Sequence, residues 1–229
     1  MPPAHTAIGI LAAGLARLEA SPMPARLAPA RDMMKGIGAA VPFINQLAFA
    51  NLWLFNGGIK RRLEASPNGN ALIRTTTAIT IIQGGSRENL LPARAAALVN
   101  FRTQPGDSIA SICAHVRQAL ADERIQFQPA GEGAHEASSF SPAEGPVYES
   151  LERVLRQVFG SLPLTPFVMT GGTDARHFTT LCSRVYRFSP VETNQVEMDG
   201  IHGVNEHIAI EALGKMVRFY GLIMQEWAS

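Results

Sequence analysis

Cysteine is nearly absent from this chain: Cys113 and Cys182 are the two among 229 residues. That is too few for a disulfide framework and is compatible with a reducing compartment, and their apolar neighbours predict buried thiols. Charge is also scarce, at 17%, and its signs nearly cancel to a net +1. With no basic stripe interleaved with aromatics, the sequence is not built for nucleic acid. Nor is there an uninterrupted apolar run. Residues 37–59 approach bilayer length, but Pro42, Asn45, Gln46, Asn51 and the Gly57-Gly58 pair break the span. A packed helical insertion over about 31–64 is expected instead, with Trp53, Phe49 and Phe55 exposed to meet an apolar substrate or partner. What is present is a large apolar fraction, 46%, enough for one large core or two smaller ones and too much for disorder.

Apolar residues recur at helical spacing from Thr6 to Ala20 (Ile8, Leu11, Ala12, Leu15, Leu18), with Thr6 as a cap. Ala71 to Ile82 and Ala93 to Arg102 read as antiparallel strands joined by a loop. Ile109 to Leu120 reads as a helix capped by Ser108 or Asp107, and Ile125 to Pro129 as a further strand. The Ala-, Glu-, Gly-, Ser- and Pro-rich stretch from Ala130 to Gly145 is the expected linker. Beyond it, Val147 to Phe159 is helical, Leu164 to Thr170 and Arg184 to Phe188 are strand-like, and His207 to Trp227 forms a long amphipathic helix. The alternation predicts an α/β chain.

Two segments look built for chemistry. Ile201-His202-Gly203-Val204-Asn205-Glu206-His207 sets two imidazoles and a carboxylate close together, and Met169-Thr170-Gly171-Gly172-Thr173-Asp174-Ala175-Arg176-His177-Phe178 carries a Gly pair. His202 and His207 are five apart, whereas ligands on one helical face stand three or four apart, so at most one of them binds a metal. A cap or surface histidine is the plainer reading of either, and Gly-Gly-Thr-Asp also suits an ordinary turn.

The order of segments carries more. Asn70-Ala71-Leu72-Ile73-Arg74-Thr75-Thr76-Thr77-Ala78, Gly84-Gly85-Ser86-Arg87-Glu88-Asn89-Leu90-Leu91-Pro92 and Val99-Asn100-Phe101-Arg102-Thr103-Gln104-Pro105-Gly106-Asp107 precede the two segments above. Together the series resembles the carboxypeptidase S and aminoacylase branch of the zinc-dependent exopeptidases and amidohydrolases. The resemblance runs through almost the whole chain, from Pro2-Pro3-Ala4-His5-Thr6-Ala7-Ile8-Gly9 onward. It implies that the family's N-terminal half, with a His-x-Asp motif and a Glu-Glu pair, would precede Met1. Its expected fold is a two-layer α/β lid or dimerisation domain (1–130) inserted into a three-layer zinc-peptidase catalytic domain, of which only the C-terminal part (131–229) is present. Exposed strand edges then predict poor solubility or obligate association.

The resemblance also assigns roles. Two zinc ions, replaceable by cobalt or manganese, would activate water for amide hydrolysis, with the general base and most ligands in the missing half, so this chain holds no catalytic residue of its own. His202 would be the one metal ligand and Glu206 would orient the site. Arg102 would bind the substrate's free carboxylate bidentately, unless it serves a surface ion pair. Asn89 would donate to the same carboxylate or to the oxyanion, and Gly171, Gly172 and Thr173 would present backbone N–H groups and a hydroxyl. Asp174 reads better as a helix cap. The expected substrate is a dipeptide or N-acyl amino acid, and the expected partner a second copy through the lid. A non-catalytic dimerisation or binding module is the alternative, and membrane association through 37–59 a third reading.

Overall fold

A computed structural model of the chain describes residues 3–131 and 134–228. Pro2 of the Pro pair and Glu132 and Gly133 of the expected linker lie outside them. Helix α1 (Ala7–Glu19) starts at Thr6, whose hydroxyl accepts the Gly9 N–H, and buries Leu15 and Leu18. Helices α2 (Arg31–Ile37), α3 (Phe43–Ala50), α4 (Leu52–Glu64) and α5 (Pro67–Ile73) follow, so residues 31–64 are mostly helical. They leave Trp53 exposed but turn Phe49 inward onto Met34 and Ile73.

Strands β1 (Thr76–Gln83) and β2 (Ala96–Arg102) pair antiparallel, from Thr76 opposite Arg102 to Gln83 opposite Ala96, with a one-residue irregularity between Ile79 and Ile81. The sequence pattern places the start of β1 too early. Ser66 accepts the Gly69 N–H and Pro67 opens a helix whose last residues are Ala71 to Ile73, and a capped Pro start outweighs the β-propensity of the residues that follow. Helix α6 (Ile109–Leu120) is capped by Ser108 in a reciprocal pair with Ser111. It packs with α1 on one sheet face, burying Ile112, Val116 and Leu120 against Val99 and Phe101.

Among the described residues β1 and β2 are the only strands. The α/β class holds, but the strands expected at 125–129, 164–170 and 184–188 are extended coil. Each has a physical reason. Ile125 and Phe127 pack into the α1–α6 core by their side chains, with no strand beside them; the alternation reported burial rather than backbone pairing. Thr165 is tied to α2, donating to the Met33 carbonyl at 3.2 Å. At Val185, the Ser141 hydroxyl donates to the carbonyl and accepts the N–H, at 2.9 and 2.8 Å, so a side chain takes the place of a neighbouring strand.

The C-terminal part is built on α7 (Pro146–Phe159), α8 (Gln195–Gly200) and α9 (Ile210–Ala228). Leu151, Val154 and Leu155 of α7 pack against Phe219 and Ile223 of α9, with Arg153 and Glu226 paired at the edge. Cys182 is exposed and Cys113 half-buried, contrary to the expectation for Cys182. It lies in a turn, where Leu181 beside it is 81% exposed. No helix among the described residues is long and apolar enough to cross a membrane.

The base of the sheet is fixed by a polar knot. Asp107, its side chain 7% exposed, pairs with Arg26 at 2.8 Å and accepts the Thr75 hydroxyl at 2.5 Å. The Thr75 oxygen in turn accepts the Gln104 N–H at 2.9 Å, and the Gln104 amide donates to the Leu72 carbonyl. Thr75→Val keeps the shape but strips a donor from Asp107 and orphans the Gln104 N–H. It is expected to cost about 2–4 kcal/mol in urea unfolding, with Thr75→Ser retaining most of the stability.

Candidate functional site

A cleft of about 990 Å³ opens where the end of β2 meets the extended segments of the C-terminal part. Its frame is hydrogen-bonded at several points. The Glu136 carboxylate accepts the Ile109 N–H at the start of α6, the Tyr186 hydroxyl donates to the Pro142 carbonyl at 2.8 Å, and Thr165 ties the 164–173 wall to α2. That last contact needs Gly36, because a Cβ there would run into the Thr165 side chain.

Arg102 enters the cleft from the last position of β2. Residues opposite one another in an antiparallel pair share a face, so Arg102 stands with Thr76, Asn100 and Leu98 on the face away from α1 and α6. One guanidinium nitrogen lies 3.6 Å from where a Cβ would stand on Gly172, an ordinary van der Waals distance, so the fork sits beside that residue. Thr173 lines the same wall. Arg102 forms no ion pair among the described residues, which leaves its fork available to an anion. The structure thus brings together Arg102, Gly171, Gly172 and Thr173.

Two further arginines line the cleft that the sequence pattern did not single out. Arg176 follows the Gly pair in a short turn (Asp174–Phe178), with its Nε 3.2 Å from the His177 ring. Arg187 lines it too, and its Nη2 is buried without a hydrogen-bond partner among the described residues. A buried guanidinium nitrogen without a partner is costly, and an anion in the cleft would satisfy it. Only the proximity of Arg176 to the Gly pair hinted at either. Tyr148 adds a phenol, raised above its ordinary pKa by burial and then by the Glu152 charge, so it stays a protonated donor at neutral pH. Phe140, Phe167, Met169 and Phe188 are large exposed apolar side chains on the same walls.

The other expected residues stand elsewhere. Asn89 is exposed in the loop joining the strands, at the opposite end of the sheet from Arg102. A strand of this length separates those ends by about 20 Å. His202 and Glu206 are exposed and do not line the cleft. His202 sits in the left-handed region with φ 63°, and its backbone N–H donates to the Glu206 carboxylate at 3.1 Å. Glu206 therefore braces the turn through its main chain. His207 Nδ1 is 2.7 Å from the Asn205 carbonyl. Asp174 is no cap: it is the first residue of its turn, and the capping position falls to Thr173, with no side-chain bond to the turn. Among the described residues no group of three His, Cys, Asp or Glu side chains is placed to hold a metal ion. His202 with Glu206 does not by itself fit a two-metal centre.

Residues 3–127 match the peptidase dimerisation domain of the M20 family. The chain is 39% identical over 228 residues to the N-fatty-acyl-amino acid synthase/hydrolase of Xenopus tropicalis, covering 98% of this chain and 44% of the relative. It is 36% identical over 237 residues to the human protein of that name, covering 98% and 45%. To the probable carboxypeptidase S-like 2 of Dictyostelium discoideum it is 32% identical over 220 residues, covering 96% and 42%. The chain thus spans less than half the length of these relatives. No solved structure matches.

Gly36→Ala is expected to displace the 164–173 wall, destabilising the chain by about 1–3 kcal/mol, as overpacked contacts do. Urea unfolding of this variant beside Gly38→Ala, whose Cβ meets nothing within 4 Å, checks it.

Proposed function

The chain belongs to the M20 peptidase dimerisation-domain family, a family of hydrolases, and from that premise we propose that it serves hydrolysis of an amide bond beside a free carboxylate. N-acyl amino acids are the favoured substrates and dipeptides the runner-up. The observation that carries this reading is Arg102 set against Gly172 in the cleft. A planar fork with no anion partner among the described residues matches a carboxylate, and the Arg187 nitrogen, without a partner among them, adds a second donor. The apolar wall of Phe140, Phe167, Met169 and Phe188 suits an acyl chain running away from that end. Relatives named for N-fatty-acyl-amino acids support the same assignment.

In this reading the two parts of the chain (1–130 and 131–229) are the lid and a portion of the catalytic domain. The chain's own residues bind and orient the substrate: Arg102 takes the carboxylate, Gly171 to Thr173 offer main-chain donors beside it, and Tyr148 offers a hydroxyl donor from the cleft lining. Zinc, or cobalt or manganese in its place, would meet this chain at His202 alone, and no step of the hydrolysis falls to residues present here. Asn89, at the far end of the sheet, would then serve a site other than the one holding Arg102 of the same chain.

A second reading, assembly without catalysis, is favoured by the outer sheet face. Ile81 and Leu98 are exposed there at 49% and 44%, on a sheet that among the described residues has two strands and both outer edges unpaired. A homodimer through the lid is compatible with either reading.

Calorimetric titration with N-lauroylglycine tests the first. Arg102→Ala is expected to weaken binding about 10- to 100-fold, as loss of a charge-assisted bidentate contact does, with Arg102→Lys only partly restoring it. Equal affinity for the methyl ester, which lacks the carboxylate, would sink the reading. Elemental analysis after dialysis against micromolar zinc is expected to find well below one zinc per chain, because a lone exposed imidazole binds weakly. Near-stoichiometric zinc lost in His202→Ala would show instead that the chain or its oligomer completes a site.

A further inference from the structure

Residues 36–59 contain no Asp, Glu, Lys, Arg or His, yet they are flanked by Lys35 on one side and by Lys60-Arg61-Arg62 on the other. The segment folds into α3 and most of α4, and neither helix contains a fully buried residue. Leu52, Ile59 and Leu63 form one stripe of α4 and, with Phe49 of α3, pack partly against Met34 and Ile73. That stripe holds the pair of helices to the body.

The opposite side is unpartnered and apolar. Phe43 and Ile44 of α3 are 75% and 69% exposed, and Trp53 and Leu54 of α4 are 82% and 60% exposed. Positions seven apart on a helix lie on one face, so Lys60 stands in line with Trp53 and Arg61 with Leu54. The outer side of α4 therefore runs from apolar at its start to cationic at its end. Lys60, Arg61 and Arg62 form no ion pair among the described residues, and Glu64, the acid beside them, is taken by Arg74.

We propose that the outer side of α3 and α4 docks on an anionic lipid bilayer, with Phe43, Ile44, Trp53 and Leu54 entering the interface and Lys60, Arg61 and Arg62 at the phosphate level. A surface that joins large aromatic and aliphatic side chains to unpaired cations fits this boundary. Uncompensated apolar side chains find hydrocarbon, the indole ring prefers the interface, and the cations meet anionic headgroups. The helices are too short to span, so the association is peripheral. An apolar protein partner would satisfy the aromatic tip but gives no reason for the cationic end. This inference holds or fails independently of the hydrolase reading.

The test uses the full chain carrying Trp227→Phe, which leaves Trp53 as the single indole, and phosphatidylcholine vesicles with or without phosphatidylserine. Expected are co-sedimentation with the anionic vesicles, a blue shift of Trp53 emission, quenching by brominated lipid chains, and weakening by salt. Lys60→Glu, Arg61→Glu and Arg62→Glu together are expected to reduce partitioning by roughly 100-fold or more, since each basic residue near such a surface contributes about a fivefold factor. Trp53→Ser with Leu54→Ser, assayed by sedimentation, is expected to abolish it. Trp53, Leu54, Arg61 and Arg62 are exposed and Lys60 is half-buried with no ion pair among the described residues, so urea midpoints should move little. Absence of sedimentation, sedimentation with Trp53 unquenched, or insensitivity to both sets of variants would overturn the proposal. So would lipid-free self-association that Trp53→Ser abolishes, without vesicle binding, because the occupant would then be a second copy.

Discussion

Asp107 holds the architecture together, because a nearly buried carboxylate must find compensation from more than one direction. It takes Arg26 from the segment after α1 and Thr75 from the residue just before β1. Thr75 also receives the Gln104 N–H. Three pieces of chain distant in sequence, at Arg26, at Thr75 and at Gln104 to Asp107, thus meet around one buried anion, at the open end of the strand pair. Gln104 lies two residues past Arg102, so the knot also fixes where β2 ends and where its terminal guanidinium begins. The cleft inherits its geometry from that point.

Around it the chain divides its polar and apolar surface unevenly. The α1–α6 and α7–α9 cores each close over their own leucines, valines and aromatic rings. Between them the segments 134–143, 164–173 and 184–188 form no strands and are tied by side-chain bonds from Ser141, Thr165 and Tyr186 rather than by strand ladders. Such bonds leave much backbone and apolar side chain uncovered, and the resulting cleft combines arginine donors with aromatic walls. That is the chemistry of an amphipathic carboxylate ligand. The exposed outer sheet face and the α3–α4 surface are separate apolar regions with different surroundings. One is bounded by free strand edges and the other by unpaired cations, so each calls for a different kind of cover.

Legibility in the sequence followed the range of the forces involved. Caps and helical periodicity act within a few residues, and Thr6, Ser108 and the apolar stripe of α6 marked their helices closely. Strand alternation was weaker evidence, because it reports which side chains are buried and not whether a backbone neighbour exists; Ile125, Leu164 and Tyr186 show apolar packing without pairing. The start of β1 was misplaced because Ser66 and Pro67 impose a helix that reaches Ile73. Arg187 was invisible as a binding candidate, since nothing local distinguishes it from a surface arginine.

By itself the sequence determined the α/β class, the family, most helices, and the residue types available for chemistry, because local propensity and ordered motifs suffice for these. Only the tertiary structure decided that Arg102 stands beside Gly172, that Arg187 lines the same cleft with a nitrogen unsatisfied, and that Asn89, His202 and Glu206 stand apart from that cleft. Those outcomes depend on register, on a buried anion shared by distant segments, and on a close approach allowed at Gly36, which are properties of packing between elements rather than of any one stretch of chain.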